Sequence, residues 1–392
     1  MYERKEEDNT RNVMSLDSIV TLSRRYGADS EYVIAGGGNT SFKDADTLYI
    51  KGSGTSLADI QAEGFVKMDR KRLSAIWGKQ YPAETEERER LVLEDLMAAR
   101  QKGEEHKRPS VETLLHDILP STYVVHTHPS LVNGITCSRQ GSQAALRLFG
   151  PQVLWIPATN PGFILSRVVK EALERHKQTY GLEGRIIFLQ NHGVFVGADT
   201  VEGIDQTYKM IMDTIGKEIR RRPDITDPQD RYADSDQVAE ELRRLAQEFY
   251  PTASVRFYRD REIGALTASR EAFYPVSSAF TPDHIVYAGS DPLFVETRAG
   301  EDRIQAIRIA WTKAEKKIGK PPKIVALQGL GVFGLGNTEK AARLAVELFV
   351  DSAKVACYTE SFGGPQFMPS DQIDFINNWE VERYRAQVSA GN

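Results

Sequence analysis

With 392 residues the chain is long enough for two or three domains, and its 41% hydrophobic content is ordinary for a globular protein. A net charge of −5 gives no reason to expect nucleic acid as a partner, and no apolar run approaches the roughly 18 residues that a membrane helix needs. Two cysteines, Cys137 and Cys357, cannot build a disulfide framework, and the start MYERKEEDN has no apolar signal-peptide core, so a cytoplasmic protein is expected.

Residues 1 to 12 are polar. From Val13 to Ile219 short apolar runs alternate with helical patterns, which predicts an α/β layer architecture. Two glycine- and hydroxyl-rich loops come first, GGGNTSF (36–42) and IKGSGTSL (50–57), flanking the strand-like LYI. Backbone N–H groups in such turns, with Asn39, Ser41, Lys51, Ser53 and Thr55, can cradle a phosphate, although ordinary hairpin turns share this composition. In RPSVETLLH, Glu112 and His116 stand one helical turn apart and can face together. A carboxylate there is a candidate metal ligand and general base, while His116 reads as supporting the site or packing rather than binding metal.

YVVHTHPS (123–130) places His126 and His128 two apart after an apolar run. On a strand, that spacing points both imidazoles to one face. His192, in a turn straight after the strand-like Ile186–Leu189, is the natural third ligand of a metal site that keeps one position open for substrate.

The stretch RRRPDITDPQDRYADSDQ (220–237) is charged and reads as a linker. Beyond it, VALQGLGVFGLGN (325–337) contains Gly329-x-Gly331-x-x-Gly334, the written form of a dinucleotide-binding fingerprint. An internal repeat changes what these glycines mean. IIFLQNHGVFVGADT (186–200) aligns with IVALQGLGVFGLGNT (324–338) at an offset of 138, with 7 of 15 positions identical. Upstream an offset of 131 joins Thr136, Ser138 and Arg139 to Thr267, Ser269 and Arg270. It also joins Pro151, Pro161 and Phe163 to Pro282, Pro292 and Phe294. The apparent fingerprint is then the twin of an Asn-His-Gly turn, and no NAD is expected to bind. Asp351, placed near where a ribose-binding acid belongs, reads as a residue on a solvated helix face. At these offsets Glu112, His126, His128 and His192 become Arg243, Phe257, Arg259 and Leu330, so the second copy has no metal site.

GGGNTS, KGSGT, PSVE, HTHP and NHG, in this order and spacing over about 30 to 220, resemble the class II aldolase/adducin family. The resemblance implies an α/β/α sandwich whose central sheet is mostly antiparallel, in homo-oligomers with sites at subunit interfaces. It carries the metal histidines onto His126, His128 and His192, the catalytic glutamate onto Glu112, and the phosphate-binding positions onto Asn39, Ser53, Gly54 and Ser110. Val111 departs from the pattern, standing where close relatives have a second serine. The second copy and the FINNWEVERYR tail are similar to the aldolase part of bifunctional rhamnulose-1-phosphate aldolase/lactaldehyde dehydrogenases, whose dehydrogenase activity is not expected of this chain.

The expected organisation is a metal-dependent aldolase domain over 13–219, a linker over 220–237, a degenerate aldolase-like repeat over 238–360 and a tail over 361–392. The expected reaction is zinc-dependent retro-aldol cleavage of a ketose 1-phosphate, of the rhamnulose or fuculose type, to dihydroxyacetone phosphate and a short aldehyde. Sugar-phosphate 4-epimerisation or dehydration at the same site, and a non-catalytic adducin-like interaction module, are the alternatives.

Overall fold

A computed structural model of the protein describes residues 16–227, 232, 234–297 and 301–379. The chain forms two compact units. One runs to Val132 and resumes over Ser142–Lys217; the other holds Asn133–Gly141 and the chain from Glu218 onward.

The first unit is built on a seven-stranded sheet: β1 (Asn39–Lys43), β2 (Thr47–Lys51), β3 (Phe65–Asp69), β4 (Tyr123–Thr127), β5 (Val153–Ile156), β6 (Ile186–Leu189) and β7 (Gly193–Ala198). Their order across the sheet is β3-β2-β1-β4-β7-β6-β5. Every neighbouring pair is antiparallel except β5 with β6. The β1–β2 turn closes because the Asp44 carboxylate accepts from the backbone N–H groups of Asp46 and Thr47, at 2.9 and 2.7 Å.

Strand alternation divides β4 between two helical layers. Val124 packs with Ile187, Leu189 and Phe195 against Leu115 and Leu119, and against Leu165, Val169 and Ala172 of the helix Phe163–Tyr180. On the opposite face Thr127 meets Tyr208 of the helix Val201–Gly216, whose hydroxyl lies 2.8 Å from Thr127 Oγ1 and 3.3 Å from the Val125 carbonyl. The result is the three-layer α/β/α arrangement with a mostly antiparallel sheet that the sequence motifs imply.

The second unit has a four-stranded sheet of β8 (Ser254–Tyr258), β9 (Leu293–Val295), β10 (Ile324–Leu327) and β11 (Gly331–Gly336), in the order β8-β11-β10-β9. Its pairings reproduce those of β4-β7-β6-β5. Ile186 faces Val196 as Ile324 faces Gly334, and Tyr123 faces Ala198 as Ser254 faces Gly336. Thr200 and Thr338 cap the helices that follow, each accepting a backbone N–H three residues on.

One alignment fails. Leu154 pairs with Ile187 and Leu293 with Val325, an offset of 139 between 154 and 293. Phe163 and Phe294 are therefore not equivalent: Phe163 opens a helix and Phe294 lies inside β9. The intervening chain takes up the difference in a 3₁₀ turn, Tyr274–Val276, and a π-helix, His284–Ala288.

Other boundaries differ from expectation too. Residues 133–141 cluster with the second unit, and the last three residues of the expected linker enter the helix Ser235–Ala246. Within the expected tail, Gln366 and Met368 donate backbone N–H groups to the carbonyls of Cys137 and Ala279 before the helix Ser370–Asn378. Residues 380–392 of the tail, like residues 13–15, lie outside the described residues. Asp351 is not on a solvated face: it is buried, with its carboxylate 2.9 Å from His284 Nε2. Among the described residues, no helix is long and apolar enough to cross a membrane.

The Gly329-x-Gly331-x-x-Gly334 motif joins two antiparallel strands, β10 and β11, where a dinucleotide fingerprint would join a strand to a helix. Gly329 and Gly331 have φ of +72° and +148°, and a Cβ on Gly331 would come within 2.8 Å of the Tyr258 carbonyl oxygen. Gly331→Ala is therefore expected to cost more than about 1 kcal/mol, read as a lowered denaturation midpoint. An unchanged midpoint would mean that the turn tolerates a side chain.

Candidate active site

His126 and His128 leave the end of β4, and His192 sits in the β6–β7 turn beside them. That turn holds its shape because Asn191 adopts φ +57°, a conformation asparagine tolerates, and because Gly193 has no side chain. A Cβ at Gly193 would lie 2.5 Å from the Thr127 carbonyl and 2.6 Å from His128 Cδ2. The ligand atoms of the three imidazoles lie within 4.8 Å of one another.

His126 is fully buried, stacked at 4.0 Å on Phe195, its partner across the β4–β7 ladder. Its Nδ1 lies 2.9 Å from the Val194 carbonyl, which can only accept. The proton is therefore on Nδ1, and Nε2 presents a lone pair to the space shared with His128 and His192. His126 Nε2 is 3.0 Å from His128 Nε2. Three nitrogens bound tetrahedrally to one zinc stand about 3.3 Å apart, so small rotations suffice to close this set on an ion. A carbonyl acceptor behind a ligating imidazole is the usual outer-shell arrangement of a metal site. The donor set fits a divalent metal.

Glu112 completes the cluster. It is buried at the N-cap position of the helix Thr113–Ile118, and its backbone N–H donates to Ser110 Oγ at 3.2 Å. Its carboxylate stands 3.5 Å from His126 Nε2 through Oε2 and 3.8 Å from His192 Nε2 through Oε1. Burial, then the neighbouring charges of His128 and His192, hold the His126 imidazole well below its ordinary pKa. Burial, with the Lys43 ammonium next, does the same to His116. Lys43 is itself pushed down to about 7 by burial, with Arg70 adding to it against the pull of Asp117.

Two depressed imidazoles give the metal-free protein a signed pH dependence. The unfolded chain takes protons near the ordinary imidazole value of 6.5, whereas buried His116 and His126 refuse them. Their contribution is thus present above about pH 6.5 and is lost as the pH falls below it. The thermal midpoint of metal-free protein is expected to drop between pH 7.5 and 5 by more in the wild type than in His116→Gln. Equal slopes would remove His116 from the account.

Of the residues expected to bind phosphate, Ser53, Gly54 and Ser110 are brought together where Gly52 bridges to Pro109. The Ser53 N–H donates to the Arg108 carbonyl at 2.8 Å and its hydroxyl to that of Pro109 at 3.2 Å, while Gly54 has φ +83°. Asn39 is engaged by its amide at both ends, by Glu112 and by His116. Phe195 and Lys43 were not legible from the sequence as parts of the site. Their roles depend on strand register and on burial against His116, which no local spacing encodes.

Among the described residues of the second unit, the positions equivalent to this centre hold other side chains. At the register-equivalent positions Phe257 packs on Phe333, with ring centroids 5.0 Å apart, and Leu330 is buried in the apolar core. Arg259, in the place of His128, donates from Nη1 to the carbonyls of Gly329 and Leu330, both at 2.8 Å. It lies over the Tyr232 ring at 4.7 Å. Arg243 pairs with Glu240 on the helix surface.

Residues 17–211 match the sequence profile of the Class II Aldolase and Adducin N-terminal domain. Over that span the chain belongs to the class II aldolase/adducin family. Among curated proteins it is similar to the uncharacterized oxidoreductase YuxG of Bacillus subtilis, with 22% identity over 95% of this chain; the chain spans 58% of that relative's length. Among solved structures it is similar to the N-terminal class II aldolase domain of a conserved protein from Thermoplasma acidophilum. That match has 28% identity and a TM-score of 0.44 over 52% of this chain and 93% of the other. The L-fuculose-1-phosphate aldolase from Thermus thermophilus matches with 16% identity and a TM-score of 0.33, over 51% of this chain and 90% of the other.

Proposed function

We propose that the first unit catalyses metal-dependent retro-aldol cleavage of a ketose 1-phosphate, of the fuculose or rhamnulose type, giving dihydroxyacetone phosphate and a short aldehyde. The observation that carries this reading is the convergence of three imidazoles on one buried carboxylate, Glu112, at the end of β4. His126, His128 and His192 would hold the ion, and an all-imidazole set suits zinc. When bound, such a metal supplies Lewis-acid stabilisation of the negative charge that develops on substrate oxygen as the C3–C4 bond breaks.

The chain's own residues do the rest. As the C3–C4 bond breaks, the C4 hydroxyl loses its proton to water and C3 gains one; Glu112 delivers that proton to C3 from Oε1, the carboxylate oxygen toward His192, and is reprotonated by water. Phe195 and the buried β4 face keep water from the inner side of the cluster. Ser53, Gly54 and Ser110 receive the phosphate. In this reading the protein works in the cytoplasm as a homo-oligomer, and the glycines of the β10–β11 hairpin bind no nicotinamide. NAD at millimolar concentration is expected to give no thermal shift; micromolar binding abolished by Gly331→Ala would restore a dinucleotide site.

The test is to load the protein with zinc and incubate it with fuculose 1-phosphate, rhamnulose 1-phosphate and related ketose phosphates, assaying aldehyde release. Aldehyde from one of them supports cleavage. An isomeric or dehydrated product would assign the site to epimerisation or dehydration, and metal-loaded protein inert toward the whole panel would overturn the proposal.

A further inference from the structure

Four buried side chains run in series behind the candidate centre, and their hydrogen bonds can be ordered by chemistry alone. Asn39 Nδ2 lies 2.6 Å from Glu112 Oε2. An ionised carboxylate only accepts, so the amide N–H₂ faces Glu112 and Asn39 Oδ1 faces His116 Nε2. An amide oxygen also only accepts, which puts the His116 proton on Nε2. His116 Nδ1 is then an acceptor, and Ser41 Oγ, 2.7 Å away, donates to it. Lys43 Nζ donates to the His116 carbonyl at 2.6 Å, tying the helix Thr113–Ile118 to β1. Asn39, Ser41 and Lys43 alternate along β1 and so share the face turned to this helix.

We infer that His116 is a positioning residue for Glu112, acting through Asn39. An amide has two nearly isosteric orientations, and only one presents a donor to the carboxylate. His116, as the Nε2–H tautomer, would be left facing a second N–H group if Asn39 flipped, and Glu112 Oε2 would face an oxygen at hydrogen-bond distance. The His116 proton thus forbids the flip. It commits Oε2 to accepting from Asn39 and leaves Oε1 as the oxygen that moves a proton. This rests on the reading of Glu112 as the acid–base group of the reaction above.

The experiment compares His116→Leu with His116→Gln. Leucine fills the site without a donor, whereas glutamine places an amide N–H near the position of Nε2. On whichever ketose phosphate the wild type cleaves, His116→Leu is expected to lower kcat by about 10- to 100-fold, with KM and metal content unchanged, as losses of outer-shell partners do. His116→Gln is expected to recover most of that loss. Equal losses in the two variants, or a kcat unchanged in His116→Leu, would overturn the inference.

A second readout does not need turnover. The chain has seven histidines, so the two-bond ¹H–¹⁵N pattern of ¹⁵N-histidine-labelled protein reports the tautomer of each. His116 is expected as Nε2–H in the wild type and as a mixture of tautomers in Asn39→Ala. An Nδ1–H wild type would reverse the chain of donors and refute the inference even if cleavage is observed. Conversely, a protein inert toward every ketose phosphate but showing the Nε2–H pattern and its loss in Asn39→Ala would sink the cleavage reading and keep the network.

Discussion

Replacing Glu112 with glutamine is expected to lower turnover by about 10²- to 10⁴-fold while the protein keeps its metal, because that is what a positioned acid–base group typically contributes. The two effects separate because the imidazoles of His126, His128 and His192 form a complete three-nitrogen donor set without the carboxylate. Glutamine is nearly isosteric with glutamate, so the buried pocket around residue 112 keeps its packing. The oxygen of glutamine can still accept from Asn39 Nδ2, which now lies 2.6 Å from Glu112 Oε2. What disappears is an oxygen able to take a proton and return it. Steady-state rates on the preferred ketose phosphate, read beside metal content by atomic spectroscopy, check this. Normal turnover would make Glu112 a bystander, and parallel loss of metal would make it chiefly a ligand.

The cluster of imidazoles was legible because strand periodicity is a local rule. Two histidines two apart in an apolar run must share a face, and His192 follows its own strand by a short turn. The antiparallel sheet was not legible from periodicity; it entered through the family motifs. What alternation could not supply was which residue stands opposite which. Phe195 reaches His126 through the β4–β7 register, and Asn39 reaches the same residue through β1 pairing with β4. Asn39 shows the limit of a motif. GGGNTS placed it near a phosphate, but only the folded neighbourhood reveals that its amide is engaged by Glu112 and His116.

The second unit fails in an instructive direction. Two offsets, 131 for β8 and 138 for β10 and β11, located these strands, because paired strands cannot slip by one residue without turning their apolar face outward. The offset of 131 misplaced β9, since a connecting segment gains residues at little energetic cost. Asp351 was misread for a related reason: an acid in a helix is solvated by default, and a partner distant in sequence, His284, helps make its burial tolerable. The guanidinium of Arg259 links the end of β8 to the carbonyls of the β10–β11 turn.

The double substitution His126→Ala with His128→Ala is expected to abolish both metal binding and turnover. One divalent ion per chain is the expectation for the wild type. With His126 and His128 gone, only His192 and Glu112 remain, two donors on different elements, and an ion gains too little from them to replace its water. His126 is fully buried, so its removal also leaves a cavity beneath Phe195 and deprives the Val194 carbonyl of a donor. Misfolding therefore has to be separated from ligand loss. Thermal melts with and without zinc do so: a ligand at one hundred times its dissociation constant stabilises the native state by about 2.7 kcal/mol, and that increment should vanish in the double variant. His128→Ala alone provides the second control, since this residue is only half-buried and leaves the His126–Val194 hydrogen bond in place. It should fold normally yet bind metal weakly. If the double variant melts as a folded protein and still binds one zinc with the wild-type thermal increment, the three histidines are not the metal site.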